Sequence, residues 1–238
     1  MNHPSVPCPS LRFALAMLFG AAALNVQAAS GAVHWDYEGD DGPAHWGELD
    51  ERFSQCSEGK NQSPIDLAGG LPAELPKLEF DYPNTGYLLE ENTGHAIQEV
   101  PRPGNTVRFR DRSYELRQFH FHSPSEHTVD GRAYPMEVHF VHQDDSGELL
   151  VIGLIFEIGE RNALMDQLPS FRAERGEAPL GGGVDYNELV EGRDEYFYYN
   201  GSLTTPPCSE GLRWIVMKRP IVVSEDQVRH FHDLLGFD

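Results

Sequence analysis

Gln118-Phe119-His120-Phe121-His122, taken with Glu137-Val138-His139, is the stretch on which the reading of this chain turns. Successive side chains of a β-strand point to opposite faces, so His120 and His122 share one face about 7 Å apart at the Cα level while Phe119 and Phe121 point into packing. The alternating run Glu137-Val138-His139-Phe140-Val141 can lie beside the first and bring a third imidazole from a neighbouring strand. Three protein nitrogens leave the fourth tetrahedral position of a zinc ion open, the arrangement of a catalytic site. Cysteine-rich ligand sets dominate closed structural zinc sites, and no cysteine accompanies these histidines.

Histidine also packs in strands with satisfied hydrogen bonds, and the chain has 11 of them, so a His pair alone decides little. Gln118 and Glu137 sharpen the reading. Each precedes a candidate ligand by two residues on the same strand face. There a side-chain oxygen can accept the other imidazole N–H and fix tautomer and ring orientation.

With those residues stand Asn61-Gln62-Ser63-Pro64-Ile65-Asp66, Gly94-His95-Ala96, Ser125-Glu126-His127-Thr128 and Gly201-Ser202-Leu203-Thr204-Thr205-Pro206-Pro207. In this order the chain resembles an α-class carbonic anhydrase of the exported bacterial type, over most of its length. Carbonic anhydrases are themselves the known example of a three-histidine zinc enzyme. The resemblance implies that His120, His122 and His139 bind Zn2+, backed by Gln118 and Glu137. It implies that Thr204 accepts a hydrogen bond from zinc-activated hydroxide while donating to Glu126, a contribution of geometry more than charge. Val141, Val151, Leu203, Thr204, Thr205 and Trp214 match the family's substrate pocket, a dry wall suited to an apolar gas. A valine in a strand is otherwise simply core. His95 matches the proton shuttle, a role that needs a pKa near neutrality. Tyr37 matches part of the water network between metal and shuttle. His127 and His142 read as structural hydrogen-bonding groups.

A basic start at Arg12, an apolar run from Phe13 to Val26 and small residues at Ala28, Ala29 and Ser30 read residues 1–28 as a cleaved secretory signal. The run is short for a membrane anchor, and no later stretch qualifies. Residues 29–238 then form one domain, periplasmic or secreted. After cleavage Cys56 and Cys208 remain, and an oxidising compartment lets them pair. In the family these positions match a disulfide bracing the turn after Thr204-Thr205; two unpaired buried thiols are the alternative. The formal charge of −20 comes from dispersed acidic residues, which disfavours nucleic acid and anionic membrane as partners and leaves a small molecule, CO2 or bicarbonate.

Alternating or aromatic runs predict strands at Lys77–Tyr82, Thr106–Phe109, Ser113–His122, Glu137–His142, Leu149–Glu157, Glu195–Tyr198 and Leu212–Val223. Helices are few. Glu225–Leu235 is the clearest, with Ser224 and Gln227 as a capping box and Val228, Phe231 and Leu235 on one face. The fold class is α+β and sheet-dominated; the resemblance implies a large, twisted, mainly antiparallel central sheet with few peripheral helices.

Reversible hydration of carbon dioxide is the leading activity, that of a zinc lyase. A non-catalytic binding domain of the same fold and a zinc esterase are the alternatives. The first typically loses a ligand histidine, and this chain keeps all three. Family members also carry, after the helix matching Ser224–Leu235, a segment with an Asn-x-Arg-Pro-x-Gln-Pro signature, where this chain reads Leu234-Leu235-Gly236-Phe237-Asp238. That segment would supply sheet strands and the carbonyl that orients His122. Without it, exposed strand edges and one imidazole lacking an acceptor are expected, unless local rearrangement or a homodimer contact covers the gap.

Overall fold

A computed structural model describes residues 33–93, 95–168, 176–179 and 183–235. The signal read at 1–28, with Cys8, lies outside the described residues. Among the described residues there are twelve strands: β1 (Glu79–Asp81), β2 (Tyr87–Asn92), β3 (Ile97–Pro101), β4 (Thr106–Phe109), β5 (Arg112–His122), β6 (Thr128–Val129), β7 (Arg132–Ala133), β8 (Met136–Gln143), β9 (Leu149–Ile158), β10 (Gly176–Pro179), β11 (Tyr196–Ser202) and β12 (Glu210–Val223). Four α-helices accompany them: α1 (Trp46–Leu49), α2 (Gln55–Glu58), α3 (Asn187–Val190) and α4 (Glu225–Leu235). Ten strands form one sheet in the order β10-β2-β3-β5-β8-β9-β12-β11, with β4 bridging β5 and β1, while β6 and β7 pair separately. Every pairing in the large sheet is antiparallel except β9 with β12. The near-continuous apolar run of β9 suits that interior place, buried on both faces.

Two apolar cores follow from the alternation. One face of β5, β8, β9 and β12 sends Phe119, Phe121, Val138, Phe140, Ile152, Leu154, Ile215 and Met217 into the main core. On the opposite face Val151, Ile155, Leu212, Trp214 and Val216 form a second cluster, joined by partly buried Val141 and Leu203. The histidines share this second face, since His139 lies two residues from Val141 on β8. The site therefore rests on a sheet whose other side is fully packed.

The seven expected strands are present with shifted ends, and α4 spans the expected Glu225–Leu235. Its capping box is reciprocal: Gln227 N donates to Ser224 Oγ (3.3 Å) and Ser224 N to Gln227 Oε1 (3.1 Å). Phe231 is buried beneath it with Val228 packed alongside; the Leu235 side chain lies outside the described residues. Strands β2, β3, β6, β7 and β10 are additions to the sequence expectation. β2 and β3 carry glutamates, which are depleted in strands, so their pattern is weak; their place in the sheet comes from pairing across Glu90–Glu99 and Gln98–His120.

That first pairing buries two carboxyls. Glu99 is 0 % exposed and faces Glu90, itself 1 % exposed, across the strand pair. Burial and the charge of facing Glu90 push its pKa up to about 8 from an ordinary 4.5. The folded state thus binds a proton that the unfolded chain has released, and stability from this group is lost as pH rises from about 4.5 toward 8. Glu99→Gln should therefore raise the melting temperature more at pH 8.5 than at pH 5.5. Thermal unfolding at the two pH values checks this, and an equal shift at both would remove Glu99 ionisation as the cause.

Candidate metal centre

The β5–β8 register sets His120 opposite His139 and His122 opposite Glu137. Nitrogens of His120, His122 and His139 all lie within 4.8 Å of one another, and His122 Nε2 is 3.1 Å from His139 Nδ1. Tetrahedral zinc with Zn–N bonds near 2.05 Å needs ligand nitrogens about 3.4 Å apart, so this spacing fits the ion. The free nitrogens are determined by what the others do. His120 Nδ1 is 2.8 Å from Gln118 Oε1, which leaves Nε2 to face the cage. His139 Nε2 lies 3.0 Å from Glu137 Oε1, which leaves Nδ1. For the remaining nitrogen of His122, Nδ1, no hydrogen bond is found among the described residues.

Burial and the neighbouring imidazoles hold the His120 pKa down to about 3 and that of His122 well below its ordinary value. Burial lowers His139 as well, against the pull of Glu137. All three rings are therefore neutral, the form that coordinates metal. Burial would raise the Glu137 carboxyl, yet His139 and His127 together hold it well below the usual range. It is an ionised acceptor between two imidazoles.

Behind Glu137 runs a buried hydrogen-bonded chain. His127 N (2.9 Å) and Nδ1 (2.7 Å) bond Glu137, and His127 Nε2 lies 2.7 Å from the Tyr199 hydroxyl, itself 2.9 Å from Ser63 Oγ. Ser202 N donates to Ser63 Oγ (3.1 Å) and Ser202 Oγ to the Leu203 carbonyl (2.8 Å). His127 is thus a structural group, as its sequence context suggested, and so is His142, whose Nε2 meets the Tyr82 hydroxyl at 2.7 Å and Nδ1 the Phe140 carbonyl at 2.9 Å. Sequence reasoning missed Tyr199, Ser63 and Ser202; the only signal was that Ser63 and Ser202 sit in the two motifs flanking the site. Gly153 makes room for Glu137, because a Cβ there would meet Glu137 Oε1 at 2.8 Å.

Glu126 faces the same cage, its Oε2 being 3.5 Å from His122 Nε2 and 3.7 Å from His139 Nδ1, buried and without a hydrogen-bond partner. Burial and Glu137 push its pKa up to about 8, against a hydrogen bond from Thr204. Val141, Val151, Leu203 and Trp214 lie together in the second apolar cluster, with Trp214 4.8 Å from the His139 ring. Thr205 is half-buried. The loop carrying Thr204 and Thr205 is held twice. A disulfide joins Cys56 of α2 to Cys208 (Cα–Cα 5.0 Å), and Glu210 accepts the backbone N–H groups of Lys60 (2.5 Å) and Asn61 (2.6 Å).

His95 stacks on Trp35 with ring centroids 3.7 Å apart. Tyr37 sits edge-on to Trp35 and Trp46, and burial followed by the charge of Glu126 raises its hydroxyl pKa. The two expected residues of the proton path thus meet in one aromatic group with Trp35, which the sequence reading did not include.

The family model for eukaryotic-type carbonic anhydrase matches residues 41–238. A carbonic anhydrase of Neisseria gonorrhoeae is 37% identical over 235 residues, covering 98% of this chain and 93% of the relative. One from Pectobacterium carotovorum is 39% identical over 230 residues, covering 95% and 91%. Among solved structures, the α-carbonic anhydrase of Thermovibrio ammonificans in complex with the inhibitor sulfanilamide superposes with a TM-score of 0.80 at 41% identity, covering 87% of this chain and 93% of that one. Together with the histidine cage, these matches show that the chain belongs to the eukaryotic-type carbonic anhydrase family.

Proposed function

We propose that this protein is a zinc lyase that catalyses the reversible hydration of carbon dioxide to bicarbonate and a proton. The observation that carries the reading is the cage of three neutral imidazoles, with nitrogens at zinc spacing beside an apolar wall. His120 and His122 would hold zinc through Nε2 and His139 through Nδ1. Bound zinc is a Lewis acid that makes water nucleophilic at neutral pH.

The chain's own groups do the rest. Gln118 and Glu137 fix the His120 and His139 rings, so the cage is formed before the metal arrives. Thr204 is hydrogen-bonded to Glu126; with Glu126 ionised beside a bound cation, Thr204 would donate that bond and turn its lone pairs toward the cage, which favours one orientation of the attacking oxygen. Val141, Val151, Leu203 and Trp214 exclude water from the side where an apolar gas approaches. His95, half-exposed on Trp35, receives the proton released, through solvent ordered near Tyr37, and passes it to buffer. The esterase alternative uses the same cage and lacks any further residue in its favour.

We further propose that residues 1–28 are a cleaved signal and that the mature domain, from residue 29, works in the periplasm or outside the cell. The Cys56–Cys208 bridge supports an oxidising compartment. Among the described residues no helix is long and apolar enough to cross a membrane.

Metal analysis of purified protein should find about one zinc per chain, and His139→Ala should lose most of it, because two ligands do not close the site. Unchanged zinc content in that variant would overturn the ligand assignment. Gly153→Ala should displace the Glu137 carboxylate and weaken zinc binding on the order of 10- to 100-fold, read by competition with a chelator. His95→Ala should slow carbon dioxide hydration in dilute buffer and recover in concentrated imidazole, since a diffusing base replaces a tethered one. Turnover that ignores buffer concentration in both proteins would remove His95 from the proton path.

A further inference from the structure

Away from the histidine cage, a cavity of about 400 Å³ opens between the segment entering β1 and the turn after α3, lined by Lys77, Phe80, Asn187, Gly192, Arg193 and Asp194 among others. Arg193 is half-buried, and its donors meet only backbone carbonyls: Nε donates to Arg219 O (3.2 Å) and Nη1 to Glu191 O (3.3 Å). Arg219 reaches back over the same turn, Nη1 donating to Gly192 O at 3.5 Å. Burial, and then the like charge of Arg219, lower the Arg193 pKa.

Acidic groups are close, Glu191 and Asp194 lining the same cavity. Neighbouring Lys218 pairs with Glu195 at 3.7 Å, while Lys77, Arg193 and Arg219 form no ion pair among the described residues. A partly desolvated guanidinium facing a second one is unfavourable until an anion joins them. The planar fork of Arg193 still has N–H donors unassigned, in the geometry that grips an oxyanion.

We propose that this cavity is a second, non-catalytic binding site for a small oxyanion, gripped by Arg193 with Lys77 and Arg219 supplying further positive charge. Bicarbonate, the product of the proposed reaction, and inorganic phosphate share the required chemistry. The site does not depend on the catalytic reading, because none of its residues belongs to the cage.

Isothermal titration of the zinc-loaded protein with phosphate and, separately, with bicarbonate at constant ionic strength tests it. Saturable binding of one or both is expected in addition to any at the metal, with a dissociation constant on the order of 1 mM. Arg193→Gln should weaken that binding about ten-fold, Arg193→Lys should recover part of it, and both should retain the wild-type rate of carbon dioxide hydration. Arg132→Gln, which removes an equal charge from a residue stacked on Tyr134, should leave it intact. Which anion responds to Arg193→Gln identifies the natural source. Absence of saturable binding, or equal loss in Arg132→Gln and Arg193→Gln, would overturn the proposal.

Discussion

The alignment of β5 with β8 is the constraint on which the site depends. With His120 set opposite His139, one side of the paired strands holds imidazoles, Glu137 and Val141, and the other holds Phe119, Phe121, Val138 and Phe140. Because side chains alternate with a period of two, a slip of β5 by one residue would drive His120 and His122 into the packed core and Phe119 and Phe121 onto the histidine face. The main core therefore does more than stabilise the sheet. Burial of the phenylalanines excludes slips by an odd number of residues, so the face that carries the imidazoles is specified by the same side chains that build the core.

Glu137 extends that constraint into three dimensions. A buried carboxylate is costly unless every oxygen is satisfied, and here His127 meets both, through N and Nδ1, with His139 Nε2 3.0 Å from Oε1. The requirement passes along His127 to Tyr199, Ser63 and Ser202, and so to the Leu203 carbonyl on the substrate side. Orientation of a metal-facing ring is thereby tied to the loop that carries Thr204. The disulfide and Glu210 hold the far end of that loop to α2 and the residues following it. A disturbance anywhere along this path reaches the cage as a rotated imidazole, not as a missing one.

Much of this was legible in the sequence because the essential signals are local. His120, His122 and Gln118 lie within five residues on a strand whose period is fixed, and the Ser224 and Gln227 cap is a short-range motif that α4 reproduces. What escaped was non-local. β2 and β3 are glutamate-rich segments whose strand character comes from their neighbours, and no pattern within residues 87–101 announces a buried Glu90–Glu99 pair. Tyr199 looks like any aromatic of β11 until Ser63, 136 residues away, is brought to its hydroxyl. The stacking of His95 on Trp35 similarly joins residues from separate segments and a ring whose only sequence cue is hydrophobicity.

The acidic surface acquires a physical meaning once the chemistry is set beside it. Carbon dioxide is uncharged and feels no net field from a chain of charge −20, so its approach is not penalised. Bicarbonate and the proton respond in opposite senses. A net negative charge disfavours retention of the anion and attracts cations. The neutrality of the cage is set separately, by burial of its three imidazoles. Screening confines each effect to about a Debye length, roughly 8 Å at physiological salt. An anion at the proposed site beside Lys77 and Arg193, which form no ion pair among the described residues, would therefore feel those nearby cations more than the field of the whole molecule.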